Sequence, residues 1–350
     1  MNLLVKDFDY NLPLELIAQA PAKPRDHSRL LLLEEKTGKI SHKYFYNLID
    51  YLQSGDLLVL NNSKVFPARL IGHKKDTDGK IEVFLHRKIN LDIWECLLRG
   101  RLKENLIINF SNKLLAQVIK NNNDGTWLVK FNLKGDKFWQ AINKIGEVPL
   151  PPYIKRGKQI SSDKNNYQTV FASASKVGSV AAPTAGLHFT TSLLKKIKAK
   201  GVKIVYVTLH VGLGTFAPVK TENILDHKMH SEFAEVGAAT VKAILNAKKN
   251  GGRVIPVGTT SCRTLESIAW DEIKTKKTKR TLNFWTDIFI YPGYRFKVTD
   301  ALITNFHLPK STLLMLISAL AGREKVKFAY QEAINEKYHF FSYGDSMFIY

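Results

Sequence analysis

The feature that most limits how this chain can fold is a change of hydrophobic rhythm at Val148-Pro-Leu-Pro-Pro152. Its three prolines offer no backbone donors and favour an extended path, so neither a helix nor a central strand can run through the segment. Before it, apolar-rich runs at 65–71, 80–86, 93–98, 106–110 and 126–131 alternate with turn-forming strings such as Asp76-Thr-Asp-Gly79 and Asn121-Asn-Asn-Asp-Gly125. Strands at this spacing predict a small barrel or sandwich, and a helix over 136–145 closes the module. After the prolines, helices and strands alternate. Thr190 caps a basic helix that stops at Gly201, a β-branched strand fills 202–209, and a helix runs over 238–249. A strand at 253–257, a helix opening at 261–266, a strand at 287–291 and an apolar helix over 311–321 complete the series. A further strand is expected at 56–60, ahead of the all-β stretch. The pattern predicts an α/β fold: a split, discontinuous α/β domain of residues 1–64 and 150–350, with an inserted all-β barrel-like domain over 65–149. The basic stretch 274–280 reads as an exposed loop or hairpin arm.

Composition narrows the function class. Lys plus Arg number 52 against 31 Asp plus Glu, a formal net charge of +21. Such a surplus suits a polyanionic partner, because cations that neutralise phosphates release condensed counterions. The apolar run 313–320 is too short to span a bilayer, and residues 1–10 carry Lys6, Asp7 and Asp9 where a signal peptide would be apolar. A cytoplasmic protein with no membrane partner is expected. Cys96 and Cys262 then read as reduced thiols, and two cysteines cannot alone make a structural zinc site.

Four strings between the α/β elements carry unusual chemistry. In Gly178-Ser-Val-Ala-Ala-Pro-Thr-Ala-Gly186-Leu-His188, small residues permit close approach of a ligand, and His188 stands just before the Thr190 cap. In His210-Val-Gly212-Leu-Gly214-Thr215 the third glycine of a dinucleotide-binding turn is missing, which leaves a ligand-cradling loop. His227-Lys-Met-His230-Ser-Glu232 lacks the spacing of helical zinc motifs and suits acid–base or substrate-binding work. In Gly258-Thr259-Thr260-Ser-Cys262-Arg263 a strand enters a helix N-terminus, where unpaired N–H groups, the helix dipole and a guanidinium favour an anion. Cys262 reads as a small packed thiol.

These strings, with Phe8-Asp-Tyr-Asn-Leu-Pro13, Leu16-Ile-Ala-Gln-Ala-Pro21, Arg25-Asp-His-Ser-Arg-Leu30, Gly55-Asp-Leu-Leu-Val-Leu-Asn-Asn-Ser-Lys-Val-Phe-Pro-Ala-Arg69, Thr286-Asp-Ile-Phe-Ile-Tyr-Pro-Gly293, Leu302-Ile-Thr-Asn-Phe-His-Leu-Pro-Lys-Ser-Thr312 and Ser342-Tyr-Gly-Asp345-Ser-Met347, give the chain its resemblance. Over essentially its whole length it resembles the S-adenosylmethionine:tRNA ribosyltransferase-isomerase family of queuosine biosynthesis (the QueA family). The resemblance implies a tRNA-modifying transferase. It would move and isomerise the ribosyl portion of S-adenosylmethionine onto 7-aminomethyl-7-deazaguanine at the anticodon wobble position of tRNA. The products would be epoxyqueuosine-tRNA, adenine and methionine. A monomer is expected, and the reaction steps call for no cofactor beyond S-adenosylmethionine as co-substrate and for no metal.

Such chemistry needs a base for a C5′ proton beside the sulfonium and a donor facing the departing adenine. His188, His210 and His230 are the candidate proton carriers, with Glu232 orienting one of them. Gly212, Gly214 and Thr215 are assigned to binding S-adenosylmethionine. Gly258, Thr259, Thr260 and Arg263 are assigned to the methionine carboxylate, and Asp345 to its ammonium or to the ribose hydroxyls. Asn61, Asn62, Ser63, Lys64 and Arg69 are candidates for contact with the modified base or its phosphate, and Lys155 and Arg156 for further phosphates. A metal-dependent hydrolase built on His227, His230 and Glu232, and a non-enzymatic RNA-binding protein, are the competing readings.

Overall fold

The computed structural model describes residues 3–111, 113–156, 160, 162–212, 219, 221–276 and 280–350. Among these, nine strands form one sheet and six close a barrel. Numbered along the chain, the sheet strands are β1 (Arg29–Leu33), β2 (Ile40–Tyr44), β3 (Leu57–Asn61), β12 (Lys203–Leu209), β13 (Glu232–Val236), β14 (Val254–Val257), β15 (Leu282–Thr286), β16 (Leu302–Asn305) and β17 (Ser346–Ile349). Their order is β15-β13-β12-β3-β14-β16-β17-β1-β2. The barrel strands are β5 (Arg69–Lys74), β6 (Lys80–Lys88), β7 (Ile93–Arg99), β8 (Ile107–Asn109), β9 (Leu115–Asn121) and β10 (Thr126–Phe131). Short strands β4 (Lys64–Val65) and β11 (Val177–Ser179) pair with each other beside the barrel.

Continuous apolar runs become central strands because both faces of the sheet are covered. Leu30, Leu32, Leu58 and Leu60 point to one face, where Phe189, Leu193 and Ile197 pack. Their neighbours point to the other. Leu57 and Val59 meet Val241 and Ile244 of the helix Ala238–Lys249, while Leu31 and Leu33 meet Met315 of Thr312–Ala321 and Tyr330 of Arg323–Asn335. The barrel has a separate core of alternate side chains such as Leu70, Ile81, Val83, Cys96 and Val118, plugged by Phe138 and Ile142 of the helix Gly135–Ile145.

Strand directions decide where a site can form. β12, β3, β14 and β16 run parallel, so their carboxyl ends share one lip. β17 is antiparallel to β16, β1 is parallel to β17, and β2 is antiparallel to β1. The amino ends of β17 and β1 and the carboxyl end of β2 therefore fall on the same lip.

The structure corrects three sequence expectations and adds one strand. The expected strand at 287–291 is irregular chain, and the preceding segment Leu282–Thr286 pairs with β13 instead. Ile290 is buried in the core, so burial rather than pairing explains the apolar run. The run 65–71 is broken at Phe66-Pro67-Ala68, because Pro67 cannot donate to a ladder. β9 had no expectation, since Lys120 and Asn121 obscure its alternation. The basic stretch after 274 begins inside the helix Trp270–Lys276, and 277–279 lie outside the described residues. No helix among the described residues is long and apolar enough to cross a membrane.

Candidate active site between sheet and barrel

Two adjoining cavities of about 290 and 500 Å³ open where the sheet lip faces the barrel, and both are bounded by His86, Gly212, Glu232 and Trp285. Glu232, the first residue of β13, lies at their seam. Its Oε1 accepts the Gly212 N–H at 3.0 Å and its Oε2 accepts Arg263 Nη1 at 2.5 Å. Both partners of this ion pair are buried, so the charges interact across a weakly screening medium. Arg263 comes from the helix Thr259–Glu266 and also donates through Nε to the Ile288 carbonyl at 3.3 Å. The irregular chain after β15 thus helps to aim the guanidinium.

His210 follows β12 directly and lines the smaller cavity. Ser63 Oγ bonds its Nδ1 at 2.7 Å, and the ring stacks on Phe233. Beneath it lies Gly178, where a Cβ would stand 2.9 Å from Cε1 and Nε2 of the imidazole. That position has to be glycine for the ring to sit where it does. Burial lowers the His210 pKa, which favours the neutral imidazole. Asn61 holds the loop ends together: its Nδ2 donates to the Leu209 carbonyl, and its Oδ1 accepts the N–H groups of Leu209 and Ser63. Asn62 Oδ1 accepts from Thr208 Oγ1 at 2.8 Å.

The barrel side was not foreseen from the sequence. Phe66, Trp94 and Trp139 line the smaller cavity, with Trp94 and Trp139 centroids 6.0 Å apart and Phe66 5.5 Å from Trp139. Opposite them Trp285 is 56% exposed, a large apolar surface left open to the cleft. His86 and Arg87 of β6 line both cavities, and burial lowers the His86 pKa. The only sequence signal for this wall is the density of tryptophan and histidine on strands that otherwise read as structural.

A third, narrow chamber of about 60 Å³ adjoins at Val211 and Leu313. Its walls are Ala181–Ala185 on one side and Gly258, Thr259, Thr260, Thr304, Asn305 and His307 on the other. Gly258 has φ +85°, a conformation that lets β14 turn straight into the helix, and Thr260 Oγ1 is buried with no hydrogen-bond partner among the described residues.

The remaining candidates are distributed differently. His230 and His227 line the larger cavity. Among the described residues no group of three His, Cys, Asp or Glu could hold a metal ion, and Glu232 faces Arg263 and the Gly212 amide. His188 lies outside the lining of all three cavities, 4% exposed, with Nδ1 bonded to Ser28 Oγ at 2.8 Å, and burial pushes its pKa down to about 4. Cys262 is fully buried, and burial pushes its thiol pKa up. Asp345 accepts the N–H groups of Arg29 and His339, each at 2.7 Å, and is buried away from the cleft. Arg69 spends its guanidinium on Glu82 and Glu147, at 2.7 and 2.6 Å. The Lys64 N–H bonds the Lys176 carbonyl, Lys155 is exposed, and Arg156 donates to the Gln19 carbonyl at 2.6 Å. Gly214 and Thr215 lie outside the described residues.

Comparison with known proteins accords with this geometry. The family described as Queuosine biosynthesis protein matches residues 5–349. The chain is 53% identical to the S-adenosylmethionine:tRNA ribosyltransferase-isomerase of Acetivibrio thermocellus over 348 residues, covering 99% of each chain. It is 52% identical to that of Fusobacterium nucleatum over 354 residues, covering 100% of this chain and 98% of the other. The crystal structure of the S-adenosylmethionine tRNA ribosyltransferase of Thermotoga maritima aligns with a TM-score of 0.56 at 38% identity, over 98% of this chain and 100% of that one. The chain belongs to the queuosine biosynthesis protein family of enzymes.

Proposed function

We propose that this enzyme transfers the ribosyl portion of S-adenosylmethionine to 7-aminomethyl-7-deazaguanine at the wobble position of tRNA and isomerises it, producing epoxyqueuosine-tRNA, adenine and methionine. The observation that carries the reading is the buried Glu232–Arg263 pair at the seam of two cavities, one walled by aromatic rings and the other flanked by histidines. Planar aromatic walls suit a purine or deazapurine, which stacks without regard to its hydrogen-bonding edge. The narrow chamber at the amino end of the helix Thr259–Glu266 suits the methionine carboxylate, with Thr260 Oγ1 as an available donor.

In this scheme a base removes the C5′ proton acidified by the sulfonium. Adenine leaves with the glycosidic electron pair and takes up a proton. The pair left on C5′ breaks the C4′–O bond, and the freed ring oxygen becomes a C1′ carbonyl as adenine departs. The neutral aminomethyl nitrogen then adds to C4′ of the vinylsulfonium and loses a proton. The C5′ ylide so formed bonds to C1′, and the C1′ oxygen closes the epoxide on C5′, expelling methionine with the C–S pair. His210 is the preferred proton acceptor, because burial favours its neutral form and Ser63 fixes its ring. Arg263 holds the Glu232 carboxylate in place beside it. The scheme as written draws on no cofactor other than S-adenosylmethionine.

The decisive experiment incubates the purified protein with S-adenosylmethionine and deazaguanine-bearing tRNA. Free adenine with a matching mass gain on the tRNA is expected. An intact glycosidic bond, or transfer of a methyl group alone, refutes the proposal.

A further inference from the structure

Three signature strings, Leu16 to Pro21, Arg25 to Leu30 and Ser342 to Asp345, lie outside the lining of the two large cavities of the cleft, with Ser342 alone among them reaching the narrow chamber. They meet instead around a separate cavity of about 520 Å³. We infer that this cavity and its aromatic rim bind an unpaired nucleotide of the RNA substrate that flanks the modified one, its base against Tyr44, Tyr46 and His27 and its phosphate against Arg29, Lys337 and His339. The inference rests on the RNA substrate proposed above and locates a second contact with it.

The rim has the chemistry of a stacking platform. Tyr44 and Tyr46 are 48% and 37% exposed, yet their rings lie 5.5 Å apart and nearly parallel at 10°. The His27 ring packs 5.1 Å from Tyr46 and lines the cavity. An open pair of aligned rings next to cations is how single-stranded nucleic acid is held without sequence readout. Lone exposed hydrophobes are ordinary on a protein surface, whereas an aligned pair at a cavity mouth is not.

The cations are set in advance. The Arg29 guanidinium lies 3.8 Å over the Tyr338 ring and donates to the Glu336 carbonyl, so little side-chain freedom is lost when an anion arrives. Asp345, the buried acid of the cavity, accepts the N–H groups of Arg29 and His339 and stands 3.7 Å from His339 Nδ1. It therefore fixes two of the phosphate-facing residues, and its hydrogen bond raises the His339 pKa. Asp26 accepts from Thr190 Oγ1 at 2.7 Å through one oxygen and stands 3.2 Å from His27 Nδ1 through the other, Glu336 lies 3.5 Å from Arg29 Nη2, and Glu15 is the further acid of the lining. Tyr343 lines the cavity with a buried hydroxyl that has no hydrogen-bond partner among the described residues.

Topology puts this patch where the same RNA can reach it. Tyr44 ends β2 opposite Arg29 at the start of β1, and both lie on the sheet lip that carries His210. β2 is six places from β12 in the strand order, which is roughly 29 Å along the lip at about 4.8 Å per strand. A polynucleotide with one nucleotide in the cleft can run along that lip and lay another on the tyrosines.

The test uses the full-length protein and tRNA, with Kd read by fluorescence anisotropy across a salt series. The pair Tyr44→Ala and Tyr46→Ala is expected to weaken binding about tenfold, the effect of losing one stacked base. The pair Tyr44→Phe and Tyr46→Phe keeps the rings and is expected to keep the affinity. Lys337→Glu is expected to lower the slope of log affinity against log salt by about 0.7 to 0.9, the share of one phosphate contact. Unchanged Kd in the alanine pair, or a phenylalanine pair as weak as the alanine pair, overturns the inference. Binding is read separately from adenine release. Failure of the unsubstituted protein to release adenine would therefore count against the proposed reaction and not against this site.

Discussion

Gly178→Ala is the smallest change that tests whether the position of His210 matters. The backbone there is not left-handed, so alanine meets no conformational barrier, and on its own it would stabilise by roughly 0.4 to 1 kcal/mol through the unfolded chain. The new methyl would stand 2.9 Å from Cε1 and Nε2 of His210 and 3.0 Å from Cδ2. Carbon contacts settle near 3.5 Å, so the ring has to retreat by about 0.6 Å. A shift of that size disturbs the 2.7 Å bond between Ser63 Oγ and Nδ1. The net stability change is then small, because overpacking of about 1 to 3 kcal/mol opposes the entropic gain. The effect on rate should be larger, since a displacement of about 1 Å at a reacting group costs up to a hundredfold. A loss of about tenfold in single-turnover adenine release, with tRNA affinity intact, is the expected result. The double variant with His210→Ala decides the cause: if alanine at 178 acts through the ring, adding it to His210→Ala changes nothing more. A full-rate single variant, or losses that multiply in the double, refutes the role given to His210.

Arg263→Met strands the Glu232 carboxylate in a buried setting and should destabilise the fold by about 3 to 5 kcal/mol, while removing both charges recovers part of that. Urea denaturation of the single and double variants checks it, and a single variant no less stable than the double contradicts it. Arg69→Met breaks contacts to Glu82 and Glu147 on a side chain that is 40% exposed, so the loss is set at about 1 to 2 kcal/mol after screening. It should lower Tm by a few degrees and leave tRNA Kd within about twofold; a large loss of RNA affinity without a drop in Tm would return Arg69 to the RNA interface. Burial holds the His188 pKa at about 4 against its ordinary 6.5. The unfolded chain therefore binds this proton first as pH falls, and the associated stability, intact above 6.5, drains away between 6.5 and 4. The span amounts to roughly 3 kcal/mol at about 1.4 kcal/mol per tenfold change in proton affinity. Denaturation at pH 7 and pH 5 reads it, and a His188→Gln protein with the same slope refutes the assignment.

How much of this was legible in the sequence depends on which physical signal each element carries. The helix Ala238–Lys249 was readable to the residue because a 3.6-residue period ends at paired glycines, and β12 because no charged residue interrupts it after Lys203. The barrel was readable as a class from strand spacing, although β9 was not, since its solvent-facing end carries Lys120 and Asn121. The segment after β15 misled because Ile288, Phe289 and Ile290 have the composition of a strand, and burial against Phe306 and Ile317 satisfies that composition as well as pairing does. For the site, loops between α/β elements gave His210, Glu232 and Arg263. The aromatic wall could not be read, because whether a tryptophan on a barrel strand faces a core or a cleft depends on what docks against the barrel, and that is decided by residues distant in sequence, such as His210 and Trp285 against Trp94.

Several polar residues first set against the RNA have their donors and acceptors committed inside the protein, and this commitment reshapes the interface. Asn61 ties Leu209, the residue before His210, to the Ser63 amide, Ser63 holds the imidazole itself, and Arg69 ties β5 to Glu82 of β6 and to Glu147. A side chain with such partners cannot also turn to a phosphate without leaving a buried group unpaired, a loss of about 1 to 3 kcal/mol. Phosphate contact falls more naturally to cations at the cavity mouth, such as Lys88 at the end of β6, which is exposed and lines the smaller cavity. Substitution of Asn61 should therefore register as a loss of rate through His210, and substitution of Lys88 as a loss of salt-sensitive affinity. The two classes of effect separate the scaffold of the cleft from the surface that receives the RNA.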